Sequence, residues 1–245
     1  MAGSRNFLGS LVGKKLIVAF TGLILLLFLL GHVTGNLKAL FGADPNGIPA
    51  IDTYGKFLRT MGEPIVPYGA LLWAARTVLL SSLVVHVVVV FQLTAANRTA
   101  RPIQYSQYRT RASSFAAKSM MFTGVAILVF IALHVLHLTT GTIRFGAFEH
   151  GRVYANLYYS FRQPVVALVY MAMMLAVGLH ILHGSWSFFQ TWGIDNPDRN
   201  WMLRRSAVVI ALAITIGFSL LPLLFMFGIL PEPSALMSAP VGTKG

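Results

Sequence analysis

The stretch TGLILLLFLLGH, residues 21–32, decides the fold class of this chain. Eight consecutive apolar residues separate its two glycines, and the apolar character extends outward from about residue 16 to about residue 41. A helix needs roughly 20 such residues to cross the ~30 Å hydrocarbon core of a bilayer. A secretory signal peptide has a shorter apolar region followed by a small-residue cleavage site, so we interpret this run as a retained membrane span.

Four further segments have the same character, and the composition agrees with them. The chain is 56% hydrophobic and only 11% charged, with a mean hydropathy of +0.70, whereas soluble domains carry about 25% charged residues. Lipid offers the backbone no hydrogen-bond partners, which favours helices. We therefore predict an all-α membrane protein, a single domain over residues 1–245 with a flexible tail over 231–245 and helices near 16–41, 64–96, 116–143, 162–192 and 205–230.

The net charge of +12 indicates topology rather than nucleic-acid binding. Basic residues flank the apolar segments, with eleven on the side of the N-terminus and seven on the other. The positive-inside bias predicts a multi-pass protein of the cytoplasmic membrane with its N-terminus in the cytoplasm and its C-terminus outside. The chain contains no cysteine, which excludes disulfides, thiolate-held iron–sulfur clusters and covalent c-type haem on this chain.

Histidine is the unusual residue of the apolar segments. The stretch TGVAILVFIALH, residues 123–134, repeats the Thr-Gly start of residues 21–32 and the ten-residue interval from glycine to histidine. Each of the first four segments carries at least one histidine, the fifth carries none, and their cores contain no Asp or Glu. The six histidines in these segments are His32, His86, His134, His137, His180 and His183.

This distribution favours two haem groups. Neutral imidazole can be buried without a counter-ion and is the commonest metal ligand. A haem iron with two axial ligands needs them from opposite faces, so two haems need four histidines on four helices. At about 1.5 Å per residue, His32 and His134 lie at similar depths towards the outside, and His86 and His180 at similar depths nearer the inside. Small residues beside them would admit a flat macrocycle: Gly22, Gly31, Gly124, Gly178 and Gly184.

Two histidines are left over from this scheme. His137 and His183 each follow another histidine by three residues, and one haem face needs only one of each pair. We expect these second members to bond to a carbonyl, a propionate or a quinone. The competing interpretation is that the intramembrane histidines make structural hydrogen bonds between helices. The occurrence of histidine in all of the first four segments makes this interpretation less favourable.

Several local patterns carry a resemblance over residues 5–230. They are the spacings Gly22 to His32 and Gly124 to His134, His86 followed by YSQY at 105–108, His180 with Gly184 and Trp192-Gly193, and the specific stretch WSFFQTWGI at 186–194. They resemble the di-haem cytochrome b membrane anchor of succinate dehydrogenase and fumarate reductase, of the single-subunit five-helix type. The resemblance implies that His32, His86, His134 and His180 are the iron ligands, ahead of His137 and His183.

The resemblance also implies a function in electron transport. A flavoprotein subunit would oxidise succinate, an iron–sulfur subunit on the cytoplasmic side would pass electrons on, and this chain would deliver them to menaquinone or ubiquinone through two b haems. The complex would be respiratory complex II of the tricarboxylic acid cycle, and the resemblance allows a higher oligomer of it. By itself the chain would not oxidise succinate, although it would contribute to the quinone-reactive site.

Haem propionates and quinone need polar partners. Candidates for the propionates are Arg98, Arg101 and Lys118 towards the cytoplasmic end, and Arg76 and Arg162 towards the outer end. Arg76 lies within the second segment and should face protein or water rather than lipid. For quinone, one candidate place is near Tyr105, Tyr108 and Arg109, and another is near Glu63 and Lys38.

Three other functions compete with this one. A haem-free transporter with a histidine relay usually has carboxylates in its spans, which this chain lacks. A non-haem di-metal membrane enzyme would use the two His-X-X-His pairs at 134–137 and 180–183, but it normally adds further ligands. A cytochrome b anchor of another membrane dehydrogenase or hydrogenase predicts the same haems with different partner subunits.

Overall fold

The five apolar segments form five long helices in the computed structural model, which describes residues 7–99 and 115–238. Each is long and apolar enough to cross a membrane, and the described part of the chain contains no β-strand. The prediction of an all-α protein with five candidate membrane spans is confirmed. In chain order the helices are α1 Leu11–Asn36, α2 Ala50–Thr60, α3 Ala70–Thr99, α4 Phe115–His134, α5 Val153–Phe161, α6 Pro164–Thr191, α7 Asn200–Met226 and α8 Pro233–Ser238.

Three short helices that the sequence analysis did not predict form an end cap, which consists of α2, α5 and α8. The Asp52 carboxylate of α2 accepts a hydrogen bond from the backbone N–H of Tyr154 at 2.9 Å, in the first turn of α5. The Tyr154 hydroxyl donates to the carbonyl of Pro231 at 2.9 Å, just before α8. Tyr154 is 1% exposed. The end cap therefore joins the segments that follow α1, α4 and α7 at one end of the bundle.

Four of the long helices begin or end several residues from the predicted bounds, and turn chemistry explains two of these differences. The second span begins at Ala70 rather than near residue 64, after two prolines that lack a backbone donor and after Gly69, whose φ is +73°. The third span continues from α4 into a π-helical turn, Val135–Thr139, and stops there. Gly141 has a φ of +65°, a left-handed conformation that favours glycine and ends the helix before residue 143.

The long helices pack around α6 and α7, which are the most buried. Helix α1 packs on both, α3 packs on α1, and α4 packs on α6. Close approach depends on glycines: a Cβ on Gly178 would overlap the Thr215 hydroxyl, and one on Gly217 would come within 2.5 Å of Val33 Cγ2. Within the described residues, α1 and α4 do not pack extensively on each other, and neither do α3 and α6. The α1–α3 and α4–α6 layers are joined mainly by the packing of α1 on α6.

Candidate functional site

His86 of α3 is held against α1 by a threonine and a glycine. Its Nδ1 lies 3.1 Å from the hydroxyl oxygen of Thr21. The neighbouring Gly22 supports the ring, because a Cβ at that position would lie 3.3 Å from His86 Cε1. The Thr-Gly dipeptide of α1 is thus a platform on which the imidazole of α3 rests.

His180 of α6 has the same surroundings on α4. Its Nδ1 lies 3.3 Å from the Thr123 hydroxyl oxygen, and a Cβ on Gly124 would lie 3.3 Å from His180 Cε1. The Thr-Gly dipeptide at residues 123–124 therefore supports the histidine ring of α6, as the Thr-Gly dipeptide at residues 21–22 supports that of α3. His86 and His180, called the 86/180 pair below, also lie close enough to interact electrostatically.

The threonines fix which ring nitrogen carries the proton in this pair. Thr21 donates its only hydroxyl hydrogen to carbonyls of its own helix, at 2.8 Å from Ile17 and 3.2 Å from Val18. Thr123 does the same towards the carbonyls of residues 119 and 120. Each hydroxyl can then only accept from its histidine, so Nδ1 carries the hydrogen. The lone pair of each neutral ring lies on Nε2, the nitrogen left to bind a metal.

His32 of α1 and His134 of α4, called the 32/134 pair below, meet at a second level. Their ring centroids are 5.9 Å apart and the rings are perpendicular. In α1 and in α4 the second level lies ten residues beyond the platform glycine, or about 15 Å along the helix.

The 32/134 pair has an aromatic environment instead of hydroxyl partners. Phe28 stacks on His32 with ring centroids 5.2 Å apart, and Phe218 of α7 lies 5.4 Å from it. The rings of Phe130 and Tyr170 flank His134. The Nδ1 atom of His134 is buried and has no hydrogen-bond partner among the described residues. A buried polar atom without a partner is costly and calls for an explanation.

His137 is hydrogen-bonded through both ring nitrogens. Its Nδ1 lies 2.8 Å from the Tyr170 hydroxyl and its Nε2 lies 3.0 Å from the Ser160 hydroxyl. The ring is 2% exposed. With both nitrogens occupied, His137 has no lone pair for a metal. The expectation that it makes hydrogen bonds agrees with this arrangement, although the partners are side-chain hydroxyls rather than a carbonyl, propionate or quinone.

His183 is different from its neighbour His180. It is half-buried, and no described residue hydrogen-bonds to its ring. It interacts electrostatically with His180, but no Thr-Gly platform supports it. The structure therefore gives His180, and not His183, the same surroundings as His86.

Of the predicted propionate partners, the structure describes the side chains of Arg76, Arg98 and Arg162, and all three are exposed. Arg76 is exposed on α3, where its guanidinium stacks over the Trp73 ring at 4.8 Å. It is only two turns from the start of the helix, where a charged side chain can reach the membrane surface. Arg162 is exposed and donates at 3.5 Å to the carbonyl of Met226, at the end of α7. Arg98 is exposed in the last turn of α3, Lys118 lies in α4, and Arg101 lies outside the described residues.

The predicted quinone contacts are only partly described. Tyr105, Tyr108 and Arg109 lie outside the described residues. Glu63 is exposed between α2 and α3, and Lys38 follows α1 with its ammonium 5.6 Å from the centre of the Phe41 ring. The structure does not bring Glu63 and Lys38 together with the histidine pairs.

Sequence reasoning missed the partners of the histidines. For Thr21 and Thr123 a signal existed, since the repeated Thr-Gly places a hydroxyl beside a small residue in both helices. For Tyr170 and Ser160 none existed, because they lie 33 and 23 residues from His137 and have no pattern of their own.

Among residues 7–99 and 115–238, no group of three or more His, Cys, Asp or Glu side chains could hold a metal ion. The histidines come together instead as two pairs, each formed by one residue from two different helices. Comparisons of the chain with protein-family models, curated proteins and solved structures find no match.

Proposed function

We propose that this chain is the membrane anchor and electron-transfer subunit of a succinate:quinone oxidoreductase. His32 with His134, and His86 with His180, would each hold one b haem between the α1–α3 and α4–α6 layers. Haem ligated in this way supplies one-electron transfer between a partner iron–sulfur subunit and membrane quinone, and its iron has no open position for oxygen.

The observation that carries the proposal is the repeated arrangement of α1 and α4. Each helix presents a Thr-Gly platform at one level and a histidine ten residues later at the other. The two levels hold imidazoles from all four helices that carry histidine. Structural hydrogen bonds between helices do not require this repetition, whereas two prosthetic groups held at two depths between the same helices would be consistent with it.

The residues present fit such a group. The unpartnered Nδ1 of His134 and the free Nε2 atoms of the 86/180 pair leave nitrogens available. The paired helices do not pack extensively on each other. Gly22 and Gly124 let His86 and His180 approach α1 and α4 without steric conflict. These features support haem binding without reference to the resemblance.

The first test is a reduced-minus-oxidised absorption spectrum of the chain purified after haem-replete expression. We expect a b-type α-band and about two haems per chain. A colourless chain, or one with stoichiometric non-haem metal, would contradict the proposal.

The second test separates neighbouring histidines. His180→Ala should remove the haem of the 86/180 pair and leave the other, because no other described imidazole rests on Thr123. His183→Ala is the matched control, three residues away on the same helix, and should retain both haems. Retention of both haems in His180→Ala would overturn the ligand assignment.

The partner subunits need a separate test, because a cytochrome b anchor of another dehydrogenase would hold the same haems. Affinity purification of the full chain from its native membrane should bring down a flavoprotein and an iron–sulfur protein. The assembly should reduce quinone with electrons from succinate. Co-purification of a different dehydrogenase or a hydrogenase would be compatible with the two haems, but it would mean that the electrons come from a substrate other than succinate.

A further inference from the structure

The two histidine levels differ in how their rings are held. Both rings of the 86/180 pair meet a threonine hydroxyl through Nδ1. In the 32/134 pair, no described hydrogen bond reaches the Nδ1 of His134, and aromatic rings provide the contacts. The asymmetry comes from the chain itself, since it depends on where α1 and α4 place threonine.

Thr21 and Thr123 are well suited to orient an imidazole. Both side chains are buried, at 7% and 3% exposure, so water does not compete for their hydroxyls. A β-branched side chain in a helix has few rotamers, and each hydroxyl is anchored to its own helix by bonds of 2.8–3.2 Å. The oxygen that accepts from the histidine therefore has a fixed position.

From this geometry we propose that Thr21 and Thr123 are positioning residues that fix the tautomer and raise the donor strength of His86 and His180. A ligating histidine whose other nitrogen donates a hydrogen bond is oriented by it and becomes a more basic ligand. The inference rests on the proposed haem-binding function. It adds that the two sites are electronically unequal because only one of them has threonine acceptors.

The experiment is a redox titration of the haems in Thr21→Val and Thr123→Val, made in the full chain. Valine keeps the shape of threonine and removes the hydroxyl. A weaker ligand stabilises ferric iron less, so the midpoint potential of the 86/180 haem should shift to a more positive value in each variant. The potential of the 32/134 haem should stay unchanged. The two threonines contact different rings of the same site, so the double variant should shift further in the same direction than either single variant.

Two controls separate positioning from packing. Thr21→Ser and Thr123→Ser keep the hydroxyl and should restore the wild-type potential. Thr94→Val removes a half-buried threonine of α3 whose hydroxyl bonds only to the Val90 carbonyl, and it should shift neither haem. If a valine variant loses the 86/180 haem, recovery of that haem in the serine variant supports the proposal, and its loss in both overturns it.

The outcomes also distinguish this inference from the proposed function. A wild-type chain without haem refutes the function itself. A wild-type chain with two haems, whose potentials are unmoved in both valine variants or move equally at both sites, refutes the role of the threonines and leaves the function standing.

Discussion

At the scale of single residues, neighbouring hydroxyls set the tautomer of three of the described intramembrane histidines. His86 and His180 carry the hydrogen on Nδ1, as their threonine partners require. His137 carries it on Nε2, because the Ser160 hydroxyl donates to the Asn156 carbonyl at 2.6 Å and can only accept from the ring. The bare Nδ1 of His137 then accepts from Tyr170. The same residue type thus acts as a candidate ligand in one place and as a structural link in another.

The hydrogen bond from His137 to the Ser160 hydroxyl leads to a prediction about stability. Ser160→Ala leaves the Nε2–H of His137 buried without an acceptor, which costs about 1–3 kcal/mol. The free energy of unfolding in detergent should fall by that amount. Under the proposed function both haems should be retained, since His137 is not a ligand.

The matched control for this prediction is Ser206→Ala. Ser206 is exposed and its hydroxyl bonds to the Met202 carbonyl of its own helix. An equal loss of stability in the two variants would mean that the link from Ser160 to His137 contributes nothing.

At the scale of elements, the platforms of α1 and α4 depend on glycine. Replacing glycine by alanine inside a helix usually stabilises it by about 0.5–1 kcal/mol. At Gly22 and Gly124 the new Cβ would lie 3.3 Å from an imidazole, and that ring cannot move without weakening its bond to threonine. We therefore predict that Gly22→Ala and Gly124→Ala lower the free energy of unfolding instead of raising it.

Gly184 provides the comparison for these two variants. It also lies in a long helix, but the nearest atom to a Cβ there is Met120 Cε at 3.8 Å, an ordinary contact. Gly184→Ala should therefore gain stability. If all three variants gain stability, the imidazoles of His86 and His180 do not rest on Gly22 and Gly124 as described.

The end cap offers a prediction about pH. Burial raises the pKa of the Asp52 carboxyl above its ordinary value of 3.8, although hydrogen bonds from the backbone of Tyr154 and Val153 and the charge of Arg152 act in the opposite direction. The folded chain therefore binds this proton more tightly than the unfolded chain. The stability it contributes is complete below pH 3.8 and is lost as the pH rises through the folded pKa.

The measurement is the thermal midpoint in detergent as a function of pH, for the wild type and for Asp52→Asn. Asparagine keeps an oxygen that can accept from Tyr154 but does not titrate. The wild-type midpoint should fall relative to that of the variant as the pH rises from about 4. Parallel curves would contradict the role assigned to Asp52.

The helices and their ends also show which parts of the fold can be predicted from the sequence. Lipid requires long apolar runs, so the spans were recognisable from composition alone. Their ends were less predictable, because Gly69 and Gly141 act through backbone conformation that hydropathy does not report. The end-cap helices were missed because α2 and α5 mix polar and apolar residues, and their stability comes from contacts such as Asp52 with Tyr154, 102 residues apart.

At the scale of the whole molecule, the layers explain why the histidines lie where they do. Helices α6 and α7 form the packed centre with α1, whereas α3 and α4 each pack along one flank. The sequence predicted the two levels from depth alone, because rise per residue is constant in a helix. It could not predict that α1 and α4 each serve both levels, since that depends on which helices are neighbours.

The orientation of the bundle is the last prediction, and it concerns the chain as a whole. The bias of basic residues predicts that the end cap lies outside and the α6–α7 connection in the cytoplasm. The chain has no cysteine, so single cysteines can report this directly at two exposed positions, Asn46 and Asp198. In intact cells a membrane-impermeant maleimide should label Asn46→Cys, and it should label Asp198→Cys only after permeabilisation. The reverse pattern would mean that the topology is inverted. Labelling of both positions in intact cells would contradict the three spans, α3, α4 and α6, that lie between them.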